Sequence, residues 1–250
     1  MAKFLYKKSY QLNNLKPIKY DDLLGKRGIF STIRIIGKKP KFILLKSHMN
    51  NINSSLNKLN INFTLTDKIV LKLIKKGVNK IKQNDNLLRI AISSNKISLS
   101  LRPRLRPNKQ FTAILSYYKR PIPYMKNLYY KKIISFLNSI NSQSEEIILC
   151  NKGLLLEGCT TNILCVHNKT IYIPLKNYYK GITMQYLLFK SKRKIMKTNI
   201  SINSLNKFQE IFLVGSGKGV VQLSSIPQIN WKSKSNLVCK EFQNLYKKIL

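Results

Sequence analysis

The chain alternates short runs of β-branched and aromatic residues with stretches whose apolar positions recur every three to four residues. Residues 29–36, IFSTIRII, and 41–45, KFILL, flank the turn GKKP and predict a hairpin. Over 47–61 the apolar positions take helical spacing behind a serine cap, and a second helix is expected over 66–82. Strands return at LLRIAISS and KISLSLRP. Prolines and arginines then break the pattern in RPRLRPNKQ, residues 102–110, before FTAILSYY resumes as strand. Beyond it, MKNLYYKKIISFLNSINS predicts a helix, EEIILCNKGLLLEG a hairpin, and ILCVHNKTIYIP further sheet. GITMQYLLFKSKRKIM reads as a helix opened by glycine, EIFLVGSGKGVVQLSSI as strand, turn and strand, and VCKEFQNLYKKIL as a closing amphipathic helix. This order predicts an α/β (α+β) fold of two domains, 1–107 and 116–250, joined by a linker at 108–115.

Composition changes the picture chiefly through charge. Forty-six lysines and arginines face nine acidic residues, a formal net charge of +37, and 38 of the 46 are lysine. Such a balance attracts nucleic acid, anionic membranes or anionic substrates. The lysines are scattered among asparagine and isoleucine instead of forming an arm or block, and no motif that reads DNA or RNA is present, so steering of small anions is the expected use. Four cysteines show no CxxC pair and no histidine at metal spacing, which fits reduced thiols and no metal site. No apolar stretch reaches membrane-spanning length, and the N-terminus has no leader-like segment. We therefore expect no membrane partner. The lysine–asparagine–isoleucine bias points to an AT-rich genome, and the expected location is the cytoplasm of a reduced endosymbiont or an organelle stroma.

One acid stands out. Glu157 follows three leucines in GLLLEGCTTNIL, where a carboxylate costs stability unless a cation meets it. EGCTTNIL, then KGIT, then VGSGKGVV, preceded by a GxFxT segment and a histidine, resembles the fold-type IV pyridoxal-phosphate enzymes. That group includes branched-chain and D-amino acid aminotransferases and aminodeoxychorismate lyase. The resemblance covers nearly the whole chain and implies the D-amino acid aminotransferase-like two-domain fold, pyridoxal 5'-phosphate as cofactor, and a homodimer.

Carried over residue by residue, the resemblance implies that Glu157 keeps the pyridine nitrogen protonated. Lys126, 31 positions upstream, matches the lysine that holds the cofactor covalently, and Tyr130 matches the partner of the phenolic oxygen. Lys131 and Lys132 are the competing lysines. Gly181, Ile182 and Thr183 match a phosphate-binding helix start, with Ser216 and Gly217 adding a second small turn. Asn51, three residues after His48, stands where the family has a phosphate-gripping arginine; Lys46 is a possible substitute, and no catalysis is assigned to His48. Phe30, Ser31 and Thr32 follow the F-x-T pattern of the lyases, and Thr32 is a candidate proton carrier.

The residues themselves add Arg102 and Arg104 as candidate carboxylate binders. The implied reaction is a step of folate biosynthesis, conversion of 4-amino-4-deoxychorismate to p-aminobenzoate and pyruvate. The alternatives are a branched-chain or D-amino acid aminotransferase and a basic, nucleic-acid-associated relic of the fold. From the dispersal of charge we predict weak, nonspecific nucleic-acid binding that disappears as salt is raised into the physiological range. A tight, sequence-selective complex in a gel shift at that salt contradicts it.

Overall fold

The computed structural model describes residues 4–79, 81–82 and 84–250. Its backbone divides into two units: the chain up to Arg104 together with Met125–Lys131, and Leu105–Tyr124 together with Lys132–Leu250. The first crossing lies near the expected boundary at residue 107. Where a linker was expected at 108–115, however, Thr112–Tyr117 forms a strand of the second unit, and Met125–Lys131 returns to the first.

The first unit carries β1 (Tyr6–Gln11), β2 (Pro17–Ile18), β3 (Gly28–Gly37), β4 (Lys41–Phe42), α1 (Leu45–Lys58), α2 (Asp67–Val78), β5 (Asn84–Ser93) and β6 (Lys96–Pro103). Its strands form one antiparallel sheet in the order β2-β1-β6-β5-β3-β4. Strand period sends Ile29, Ser31, Ile33 and Ile35 of β3 to one face and Phe30, Thr32 and Arg34 to the other. The first face is closed by α1, where the Ser31 hydroxyl meets His48 Nδ1 at 2.8 Å. The second face presents Phe30 opposite Ala91, Thr32 opposite Arg89 opposite Ser100, and Arg34 opposite Leu87 opposite Arg102.

Two helix starts contrast. Thr66 caps α2, its hydroxyl accepting from Ile69 N at 3.3 Å. The serine cap expected for α1 is absent: Ile43 N still bonds Arg34 O on β3, Leu44 turns through a left-handed φ of 55°, and the helix begins at Leu45 with Ser47 inside its first turn. The helix expected over 66–82 ends at Val78, and Lys80 lies outside the described residues.

The second unit contains β7 (Thr112–Tyr117), α3 (Lys131–Asn138, whose first residue belongs to the first unit), β8 (Glu145–Asn151), β9 (Leu154–Gly158), β10 (Asn162–His167) and β11 (Thr170–Pro174). There follow α4 (Ile182–Lys190), β12 (Ile195–Thr198), β13 (Glu210–Gly215), β14 (Gly219–Gln222), β15 (Ser225–Ile226), β16 (Trp231–Lys232) and α5 (Leu237–Lys247). Two five-stranded sheets result, β12-β11-β10-β13-β14 and β16-β15-β7-β8-β9. Alternation along β10 explains their packing: Ile163 and Cys165 join a core with Phe111, Ile148, Phe208, Leu213 and Trp231, whereas Leu164 and Val166 pack with Phe212, Val238 and Phe242 under α4 and α5.

Two helices are shorter than their periodicity suggests. Residues 126–130 spend their backbone bonds on β3, so α3 starts only at Lys131; after α4 ends at Lys190, the IMKT stretch pairs with β11 in parallel and becomes β12. All four cysteines are free and buried, and no helix among the described residues is long and apolar enough to cross a membrane. Trp231, 1% exposed, donates from Nε1 to Phe208 O at 3.0 Å within the larger core. Trp231→Ala should destabilise the second unit by about 3–5 kcal/mol, seen as a lower denaturant midpoint at unchanged slope.

Candidate functional site

In the first unit the site builds on the Phe30 face of the sheet. The segment after Met125 runs antiparallel beside the start of β3: Phe30 N donates to Lys126 O at 2.8 Å, and Leu128 N to Gly28 O at 3.0 Å. This docking puts the Lys126 ammonium 5.0 Å from the centroid of the Phe30 ring, and Tyr130 meets the same ring edge-on at 4.9 Å. Leu23, Ala91 and Leu128 close a small apolar cluster around them. Lys126 and Tyr130 are thus brought together as expected, whereas Lys131 and Lys132 begin α3.

Arg89 is a residue that the sequence reading missed. Its guanidinium carbon lies 4.9 Å from the Phe30 centroid, its Nη1 donates to Asp22 O at 2.9 Å, and its buried Nη2 has no hydrogen-bond partner among the described residues. Burial pulls its pKa down, as it does for Arg102, against which Tyr130 acts to raise it. Arg104 differs: its Nη1 stands 3.5 Å from Asp85, which also pairs with Arg34 at 3.0 Å. Thr32 is half-buried opposite Arg89, and Asn51 is half-buried on α1. The signal for Arg89 was available: period two from Phe30 and pairing of the two predicted strands put it on the same face.

In the second unit Glu157 ends β9 at 2% exposure. The cation it requires is provided within the protein: Arg120 Nε lies 3.0 Å from Oε1, and Arg120 Nη2 donates to Gly158 O at 3.0 Å and Cys159 O at 3.1 Å. Tyr179 N donates to Oε2 at 3.2 Å. Besides any cofactor, Glu157 meets a cation of the protein itself, Arg120, which 36 residues of intervening chain hide from sequence pattern. Burial first, and Glu157 second, push the Tyr179 phenol up.

Asn162, the last polar residue of the EGCTTN run, ties this carboxylate to the helix start. Its amide nitrogen donates to Tyr179 O, and its Oδ1 accepts from Gly181 N at 3.0 Å. Gly181 caps α4 in extended conformation, the first turn holds no acid, and Thr183 Oγ1 meets Ser216 Oγ at 3.1 Å. Amides at a helix start beside two hydroxyls suit a phosphate, and a buried carboxylate paired with a guanidinium suits a protonated ring nitrogen. The donor set therefore fits pyridoxal phosphate, with Gly181–Thr183 and Ser216 at one end and Glu157 at the other. Among the described residues no group of three or more metal-ligating side chains occurs.

Comparison with known proteins agrees. The family described as "Amino-transferase class IV" matches residues 28–226. A curated aminodeoxychorismate lyase of Bacillus subtilis is 24% identical over 268 residues, covering 94% of this chain and 89% of that protein. Among solved structures, a branched-chain aminotransferase from Thermoproteus uzoniensis superposes with a TM-score of 0.79 at 17% identity, covering 96% of this chain and 93% of the other. A hypothetical aminotransferase from Mycobacterium tuberculosis, in a PLP-bound form, gives 0.75 at 14% identity with 98% of each chain covered. The fold is that of these type IV enzymes.

His48, 3% exposed behind β3, yields a pH prediction. Burial, and then the nearby Lys126 charge, lower its pKa from 6.5 to about 3. The unfolded chain therefore binds the extra proton between these values, and stability falls as pH drops through that window, by at most about 1.4 kcal/mol per unit from this group. The slope of folding free energy against pH should be shallower in His48→Gln; an unchanged slope contradicts the assignment.

Proposed function

Because the chain belongs to the class IV aminotransferase family and is a pyridoxal-phosphate-dependent enzyme, we propose that it converts 4-amino-4-deoxychorismate to p-aminobenzoate and pyruvate. The observation that carries this reading is the near full-length match to a curated aminodeoxychorismate lyase. The cationic face around Phe30 supports it, since a substrate with two carboxylates suits Arg89 near the Lys126 amine, with Arg102 on the same face of the sheet. In this reading the enzyme acts as a homodimer on a small anionic substrate, without nucleic acid.

The bound cofactor supplies an electron sink for negative charge developing on the carbon attached to the substrate nitrogen. Lys126 would hold the cofactor covalently, and its amine is the base placed to take the proton from that carbon. Glu157 would keep the proton on the ring nitrogen, with Arg120 orienting one carboxylate oxygen and Tyr179 N the other. The amides of Gly181–Thr183 and the hydroxyls of Thr183 and Ser216 bind the phosphate. Arg89 Nη2 takes a substrate carboxylate and so gains the partner it lacks. The bond from the substrate ring to the enolpyruvyl oxygen breaks, the ring becomes aromatic, and Lys126 or Thr32 delivers the proton that turns the leaving enol into pyruvate.

The likeness to branched-chain aminotransferases makes amino-group transfer the competing reading. Both reactions share the cofactor-binding residues, so the products decide. Purified enzyme should form p-aminobenzoate, and Lys126→Ala should lose both turnover and the visible absorbance of bound cofactor. Glu157→Gln should retain the cofactor but lose about 10²-fold or more in rate. A Lys126→Ala protein that keeps the band shifts the assignment to Lys131; transamination of branched-chain amino acids without p-aminobenzoate replaces the lyase reading.

A further inference from the structure

Glu146, on β8, is 0% exposed and has no part in the chemistry above. Its Oε2 accepts from Thr160 Oγ1 at 2.8 Å and Thr161 Oγ1 at 3.2 Å, and Lys218 Nζ lies 4.0 Å from the same oxygen. Its Oε1 is buried with no hydrogen-bond partner among the described residues. Lys218, with a side chain 9% exposed, donates to Ser142 O at 2.7 Å and Glu145 O at 3.4 Å and lies 4.8 Å from the Phe111 ring centroid. Two opposite charges are therefore sunk into the second unit beneath the EGCTTN run.

The location ties two pieces of the cofactor site together. Thr160 and Thr161 follow Glu157 on the way to Asn162, and Lys218 sits in the β13–β14 turn that carries Ser216. The turn and the run already touch: a Cβ on Gly215 would lie 3.0 Å from Thr160 O and 3.3 Å from Thr161 Cγ2. A Cβ on Gly158 would fall 2.2 Å from Thr161 Oγ1 and 3.1 Å from Glu146 Cγ, so a side chain at 158 would collide with this cluster, and one at 215 would crowd it. The Lys218 ammonium meets the carbonyls of residues 142 and 145 and lies 4.0 Å from Glu146, which ties the turn to β8.

We propose that Glu146 and Lys218 are a positioning pair that holds the Ser216 turn in register with the Glu157 strand, and so fixes the phosphate end of the cofactor relative to its ring-nitrogen end. Lys218 anchors the turn to β8. Glu146 gathers Lys218 and the two threonines on one oxygen. The inference rests on the reading that Ser216 and the start of α4 take the phosphate.

The test uses two probes, pyridoxal phosphate and pyridoxal, which lacks the phosphate, titrated into the full-length protein stripped of cofactor. The wild type should bind pyridoxal phosphate more tightly. Lys218→Met, which keeps the stem and removes the charge, should weaken that binding about tenfold, the lower end of what outer-shell partners contribute at metal sites, and leave pyridoxal binding within about twofold. Lys218→Arg should recover most of the loss. Should Lys218→Met not fold, Glu146→Gln decides, and must weaken pyridoxal phosphate more than pyridoxal. Equal losses for both probes, or none, overturn the positioning pair. If the wild type itself binds both probes alike, the phosphate assignment falls, and the inference with it.

Discussion

A carboxylate buried at the end of an apolar strand sets conditions that several distant segments must meet. Glu157 would be strongly destabilising alone at 2% exposure, and removal of one partner from a buried ion pair is among the costlier changes a fold can suffer. Arg120 answers it directly and, through Gly158 O and Cys159 O, also fixes the bend that follows the strand. The backbone amide of Tyr179 answers it from the other side, and Asn162 then passes the constraint to Gly181 and the start of α4. One acid thereby dictates the paths of three stretches far apart in the chain.

The sequence made the strands legible wherever apolar alternation was strong, as in β3, β10 and β13, and it made helix starts legible where a side chain or glycine marks them, as at Thr66 and Gly181. It misled where backbone partners outweighed periodicity. Residues 126–130 have the spacing of a helix but dock on β3, and Ile195–Thr198, which overlaps the tail of the expected helix, pairs with β11. In the site, residues within a local run, Glu157 and Gly181–Thr183, could be picked out in order. Arg120 and Lys218 could not, because their partners are set by three-dimensional contact and each was one basic residue among 46.

Charge is distributed by the same logic. Acids are so few that most serve the fold itself: Asp21 with Lys26 and Lys96, Asp85 with Arg34 and Arg104, Glu241 with Arg193. Glu210 accepts the amides of Val238 and Cys239 at the start of α5. Lys26, by hydrogen bond, holds Asp21 down to about 2, so this acid stays ionised across any ordinary pH.

The division of the chain between its units also has a temporal side. The first unit is not complete at Arg104, because Met125–Lys131 must come back to line the start of β3, and this segment carries Lys126. During synthesis the N-terminal sheet therefore emerges with part of one edge still uncovered, and the missing piece follows only after β7 of the other unit has been made. Neither unit is one contiguous stretch of the gene. No single cut of the chain therefore yields two complete units.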